Sequence, residues 1–216
     1  MKSSLPKQFL DLCGKAVLQR TLERFMEAVP ELKVITVLPE AHIQWWKDYC
    51  ISNSFICPQK IVPGGFTRFH SVRNGLSAVP DGAIVAVHDG VRPLLSADMV
   101  SRLFSMAETK PAVVPVIPCV DTMKILDRNP ETGELEPVGG AVTERSRLFA
   151  VQTPQIFHSE IIRAAYCQAF DPAFTDDASV VERAGYMVNY TDGERFNIKI
   201  TTTDDLTLAR AILSAE

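Results

Sequence analysis

The chain has 216 residues, 46% of them apolar, which suits one domain, or one domain plus a small excursion, and can build a sizeable core without staples. Lys plus Arg is 22 and Asp plus Glu is 26, so the net charge of −4 excludes a general nucleic-acid binder. It leaves room for one small anion held by a few placed cations.

In chain order, Leu5-Pro6-Lys7-Gln8-Phe9 opens the sequence on a turn. A helix is predicted over 15–29, where Val17, Leu18, Leu22, Phe25, Met26 and Val29 fall on one stripe. Residues 34–38, 83–87 and 112–117 are β-branched and almost continuously apolar, the pattern of strands buried on both faces of a parallel sheet. Trp45 and Trp46 read as core with partial exposure. The run Lys60-Ile61-Val62 leads into a Gly64-Gly65 turn and a helix over 68–78. A further helix over 97–107 carries Met99, Val100, Leu103, Phe104 and Met106 on one side. Residues 121–142 hold turn residues (Asn129-Pro130-Glu131-Thr132-Gly133) and little apolar periodicity, predicting a protruding hairpin or a disordered loop. Helices follow over 159–169, 177–185 and 204–214, the last behind the capping-box pattern Thr202-Thr203-Asp204-Asp205. Strands alternating with helices predict a layered α/β fold.

The five cysteines are odd in number and lack C-x-x-C spacing, and the histidines His42, His70, His88 and His158 form no H-E-x-x-H. A disulfide framework and a zinc enzyme are therefore not expected, and a reducing cytoplasm is. No apolar run reaches the ~18 residues of a membrane span. Nor does an apolar signal core follow Met-Lys-Ser-Ser-Leu-Pro-Lys.

Polar clusters sit at strand ends, where α/β proteins place ligands. In Val87-His88-Asp89-Gly90-Val91-Arg92-Pro93, Asp89 can hold a metal or a sugar hydroxyl and Arg92 a phosphate; a plain Asp-Gly turn with a salt bridge reads equally from these residues. Gly64-Gly65-Phe66-Thr67-Arg68-Phe69-His70-Ser71-Val72 places glycines before a helix N-terminus, fit for an anion or for a simple turn, and matches neither standard nucleotide fingerprint. Thr143-Glu144-Arg145-Ser146 and Gln152-Thr153-Pro154-Gln155 form another polar group. Thr175-Asp176-Asp177-Ala178-Ser179 also suits the acidic first turn of a helix. In Asn197-Ile198-Lys199-Ile200, the two isoleucines are predicted to face one way and Asn197 and Lys199 the other, as on a short strand. Lys7 either snorkels or meets a phosphate.

In this order the clusters resemble the 2-C-methyl-D-erythritol 4-phosphate cytidylyltransferase family. Leu5 to Phe9 is similar to its P-K-Q segment, Gly64 to Val72 to its G-G-x-x-R-x-x-S-V, and Val87 to Pro93 to its V-H-D-x-x-R-P. Asp121-Thr122-Met123-Lys124, Thr153-Pro154-Gln155, Thr175 to Ser179 and Asn197-Ile198-Lys199 match in turn. The resemblance implies a three-layer, Rossmann-like fold of the nucleotide-diphospho-sugar-transferase kind, with a mostly parallel sheet and a β-arm, over a single domain 1–216. It implies cytidylyl transfer from CTP, with Mg²⁺ carried by the CTP phosphates and no protein metal ligand. By similarity, Lys7 stabilises the transition state at the α-phosphate, and Arg145 and Lys199 hold the attacking phosphate. Asp89, Arg92, Thr153 and Thr175 surround the sugar-phosphate and ribose groups. Gly64, Gly65 and Ser71 read the cytosine, and Asp89 and Gly90 complete the nucleotide side. The arm at 121–142 is expected to embrace a second subunit, giving a homodimer in the cytoplasm with no nucleic-acid or membrane partner.

The family also begins with a strand and an A-A-G-x-G-x-R-M loop before P-K-Q, and this sequence shows neither. A start placed too late, or omitted residues, is the expected reason, and a chain truly beginning at Met1 is expected to fold poorly. Two rivals follow from the same motifs: a ribitol 5-phosphate cytidylyltransferase, and a non-catalytic CTP-binding relative.

Overall fold

The computed structural model describes residues 5–138 and 144–215. After a 3₁₀ turn at Lys7–Phe9 come β1 (Asp11–Leu12) and β2 (Lys15–Ala16), an antiparallel pair. Cys13 and Gly14 join them at φ 52° and 82°, a left-handed pair that suits a two-residue hairpin. This hairpin takes the front of the helix expected from residue 15, so α1 spans Val17–Ala28. There follow β3 (Val34–Leu38), α2 (Ile43–Ser52), β4 (Gln59–Pro63), α3 (Arg68–Leu76), β5 (Ile84–Val87), α4 (Ala97–Ala107) and β6 (Ala112–Pro118). Then come β7 (Leu126–Arg128), β8 (Leu135–Pro137), β9 (Phe149–Val151), β10 (Gln155–His158), α5 (Ser159–Ala165), α6 (Asp177–Arg183), β11 (Asn189–Asp192) and α7 (Thr203–Leu213). Among the described residues no helix is long and apolar enough to cross a membrane.

The wide sheet runs β11-β6-β10-β5, with β9 also on β6. β11 is parallel to β6, while β10 lies antiparallel to both β6 and β5. The three strands β5, β6 and β11 therefore point the same way, and β10 makes the sheet mixed. Alternation along β6 and β10 sends Val114 and Phe157 to one face, against α3, α5 and α6, and Val113 and Ile156 to the other, against α1 and α4. That is the expected α/β layering. β3 and β4 form a separate parallel pair. Among the described residues β5 pairs only with β10 and β3 only with β4, so each keeps one unpaired edge. Helix α3 lies close on β3 because Gly75 has no side chain; a Cβ there would sit 2.9 Å from Val37 Cγ2.

Trp46 is fully buried and Trp45 partly so, as expected. Residues 126–137 form the hairpin of β7 and β8, closed at Gly133 with φ 75°. The end of the expected arm, 139–142, lies outside the described residues, as does Thr143. Residues 197–200 are not a strand, which corrects the facing expected there: Asn197 is buried while Lys199 stays exposed.

Candidate active site

β5 ends at Val87, and the next turn is closed by Arg92 N–H donating to Asp89 O at 3.0 Å. This delivers Asp89 to the carboxyl end of the wide sheet. Its carboxylate collects cations from three places in the sequence. Lys199 Nζ is 3.0 Å from Oδ2, Arg92 Nε is 3.6 Å from the same oxygen, and Arg68 Nε is 3.6 Å from Oδ1. Burial pushes the Asp89 carboxyl up, but the charges of Lys199 and Arg68 outweigh it and hold the pKa below the ordinary value. Burial likewise lowers Arg92.

Arg68 occupies the first position of α3, behind the N-cap Thr67. Its guanidinium forks the fully buried Asp177 at 3.0 and 2.6 Å, and Tyr166 donates its hydroxyl to Asp177 Oδ1 at 2.5 Å. Asp177 is the first residue of α6, so the fork binds one helix N-terminus to another. Asp176 caps α6 in a capping box with Ser179. Gln155 of β10 locks this end by donating to Asp176 Oδ2 at 2.8 Å and accepting from Ala178 N–H at 2.8 Å. Thr175, just before this cap, lines the same cavity as Asp89.

Lys199 is held by its loop. Asn197 donates to Thr153 O at 2.8 Å, Arg92 donates to Asn197 O at 2.6 Å, and Ile200 N–H donates to Val91 O at 2.9 Å. Gln152 fixes the preceding turn, donating to Glu194 O at 2.8 Å and accepting from Glu194 N–H at 3.1 Å.

These contacts leave a cavity of about 400 Å³ lined by Asp89, Arg92, Thr153, Thr175, Lys199 and Arg68, among others. A second hollow, of about 470 Å³, lies beside Ser96 and Glu194. There Glu194 already accepts from the Ser96 amide at 2.9 Å and from its hydroxyl, so the acid is engaged by the start of α4.

The structure thus gathers five of the residues singled out in the sequence. Lys7 is exposed on its 3₁₀ turn, and Arg145 is exposed and donates to Val120 O at 3.1 Å; neither lines the cavity. Gly64, Gly65 and Ser71 build their own turn at the end of β4. Gly65 N–H donates to Ser71 Oγ at 3.0 Å, that hydroxyl donates to Thr67 O at 3.0 Å, and Gly64 N–H donates to Leu38 O at 2.8 Å. Gly90 turns its carbonyl to the Thr21 hydroxyl at 3.3 Å. Sequence reasoning gave no role to Arg68, Tyr166, Asp177, Gln155 or His88. Arg68 and Asp177 stood inside quoted motifs, and only their pairing across the fold was hidden.

Three cations around one carboxylate suit a phosphate, and the Asp89 carboxylate, an acceptor on both oxygens, suits hydroxyls. Among the described residues no three His, Cys, Asp or Glu side chains gather to hold a metal. With Asp89 facing cations, these residues do not fit a protein-held metal.

The model of the family "2-C-methyl-D-erythritol 4-phosphate cytidylyltransferase" matches residues 1–215. A relative of that name from Bacteroides thetaiotaomicron is 43% identical over 213 residues, covering 99% of this chain and 93% of the relative. Another from Porphyromonas gingivalis is 44% identical over 216 residues, covering 100% and 92%. Among solved structures, the 4-diphosphocytidyl-2C-methyl-D-erythritol synthase of Anaerococcus prevotii aligns with TM-score 0.79 at 28% identity, over 96% of this chain and 93% of that one. The Thermus thermophilus cytidylyltransferase aligns with TM-score 0.76 at 31% identity, over 97% and 94%.

Proposed function

The chain belongs to the 2-C-methyl-D-erythritol 4-phosphate cytidylyltransferases, a family of nucleotidyltransferases, and from that premise we propose that it transfers the cytidylyl group of CTP to 2-C-methyl-D-erythritol 4-phosphate. The acceptor's phosphate oxygen attacks the α-phosphorus, a P–O bond forms to give the CDP-alcohol, and the bond to pyrophosphate breaks. A phosphate dianion needs no general base, so the work left to the protein is positioning and cationic stabilisation. The observation that carries this reading is the Asp89 cluster, where Lys199, Arg92 and Arg68 converge within 3.0–3.6 Å of one carboxylate. An incoming phosphate competes with Asp89 for these cations, while Asp89 and Thr153 face hydroxyls. Lys7 serves the α-phosphate, Arg145 the attacking phosphate, and Gly64, Gly65 and Ser71 the cytosine, with Thr175 and Gly90 at the edges of the two substrates. Mg²⁺ enters on the CTP phosphates as part of that substrate.

The same reading makes the protein a cytoplasmic homodimer. Val120, Met123, Ile125, Leu126, Leu135 and Val138 are exposed along the arm, with Phe149 and Val151 at its root. Exposed apolar side chains in this number suit an interface, and Arg145 follows the arm closely enough for pairing to order it. Light scattering tests the dimer, and a monomeric variant with full activity removes the link to Arg145.

The decisive experiment is pyrophosphate release with CTP and either 2-C-methyl-D-erythritol 4-phosphate or ribitol 5-phosphate. Turnover with the first is expected. Turnover with ribitol phosphate alone reassigns the acceptor, and triphosphate binding without turnover makes the chain a non-catalytic relative.

A further inference from the structure

The hydrogens around Thr153 can be counted. His88 Nε2 lies 3.2 Å from Arg92 O. A carbonyl oxygen only accepts, so this nitrogen carries a proton. Burial lowers the His88 pKa to about 4, so the ring is neutral at pH 7 and Nδ1 is bare. Nδ1 lies 3.1 Å from Thr153 Oγ1, so the threonine hydroxyl is the donor there. The Asp89 main-chain N–H donates to the same Oγ1 at 3.1 Å. Phe25 packs edge-on against the imidazole, with centroids 4.9 Å apart, and restrains the ring. Thr153 has therefore used its one hydrogen and one lone pair inside the protein. Only a lone pair is left for the cavity it lines.

We propose that His88 is a positioning residue that fixes Thr153 as an acceptor-only group, so that Thr153 meets a sugar hydroxyl of a bound substrate and turns away phosphate oxygens. With Asp89 ionised, two acceptors then stand side by side among the cations. A substrate is oriented by both signs: its hydroxyls go to Thr153 and Asp89, its phosphates to Arg92 and Lys199. Reversing the imidazole would set a bare nitrogen against the Arg92 carbonyl and release the Thr153 hydroxyl to bind anions. The substrate half of this inference rests on the function proposed above; the tautomer half does not.

The test has two arms. First, ¹⁵N imidazole spectra of the whole protein at pH 7, with His88 assigned by its loss in His88→Phe or in His88→Asn, are expected to show a protonated Nε2 and a bare Nδ1. The opposite tautomer overturns the proposal whether or not the chain turns over CTP. Second, kcat/KM is measured with CTP analogues lacking one ribose hydroxyl and with acceptor analogues lacking one hydroxyl. In the wild type, one of these analogues should lose roughly 3- to 10-fold, the worth of one neutral hydrogen bond. In Thr153→Val that penalty should vanish, and Thr153→Ser should restore it. His88→Phe should shrink it, because the freed hydroxyl can rotate. Melting temperatures identify a variant that fails to fold, and Thr153→Ala, which also lacks the hydroxyl, then replaces Thr153→Val in the comparison with Thr153→Ser. Penalties unchanged in Thr153→Val overturn the proposal. If the wild type transfers to no acceptor, the functional reading fails, and the same penalties are read as CTP-analogue affinities by calorimetry.

Discussion

The ends of the two sheets prepare for a ligand in different ways. At the carboxyl end of the wide sheet, side chains do the organising. Asp89 gathers Lys199, Arg92 and Arg68, and Arg68 passes on to the buried Asp177. At the end of the narrow β3–β4 pair, the backbone does it: Gly64, Gly65 and Ser71 fold onto one another through amide and hydroxyl bonds. Beneath that pair Gln59 Oε1 accepts from Thr36 at 2.7 Å and from Trp46 at 3.0 Å. A charge-built site is damaged by losing a charge. A backbone-built one is damaged by gaining a side chain.

The largest effect should come from Lys199→Ala. The side chain is 44% exposed and its pair with Asp89 contributes little to stability. Losing a placed cation at the attacking phosphate should cost on the order of 10²–10³ in kcat. The comparison breaks if urea melts show a large stability loss, or if turnover survives.

Asp177→Ala should act the other way, on the fold. It strips the fork from Arg68 and the acceptor from the Tyr166 hydroxyl, and breaking such a pair costs about 3 kcal/mol. Equilibrium urea unfolding measures it, with Tyr166→Phe, which removes one hydrogen bond, expected near 1 kcal/mol. Equal losses would mean that the fork adds nothing beyond the hydroxyl.

The pH dependence of stability sharpens the same contrast. Unfolded histidine takes a proton near pH 6.5, whereas burial holds His88 neutral down to about 4. Between these values the unfolded chain binds more protons, so stability falls as pH falls from 6.5 toward 4, by on the order of 3 kcal/mol. The Asp89 carboxyl, held below its ordinary value against burial by Lys199 and Arg68, adds a loss only below that range. Urea midpoints at pH 7, 5.5 and 4.5 should slope in the wild type and flatten in His88→Phe.

Much of this architecture could be read in advance because nearly continuous apolar strands announce themselves. β3, β5 and β6 are nearly continuous apolar runs and fall where expected. β10 escaped because its four residues begin with Gln155 and end with His158, whose polar groups are satisfied by α6 and by Ala107 O at 2.7 Å. β11, Asn-Tyr-Thr-Asp, has the polarity of a sheet edge. In the site, Asp89, Arg92 and Lys199 were visible through their motifs. The facing of Asn197 was misread because an alternation rule for strands was applied to a loop. Asp177 looked like one more acid in a helix first turn, since nothing local distinguishes a solvated aspartate from one forked by an arginine 109 residues away.

The smallest effect tests the backbone-built side. A Cβ on Gly65 would stand 2.4 Å from His70 Cβ and 3.0 Å from its carbonyl carbon, inside the first turn of α3, where neither atom can swing aside. Gly65→Ala must therefore move the loop and stretch its bond to Ser71. The strain falls on an exposed turn, so stability should drop by only about 1 kcal/mol. Asp89, Lys199 and Arg92 stay where they are, and the acceptor KM should hold while the CTP KM rises several-fold. If the two KM values rise together, the loop and the charged cluster are one mechanical unit, joined through α3 from Ser71 to Arg68, and the division between the two ends is lost.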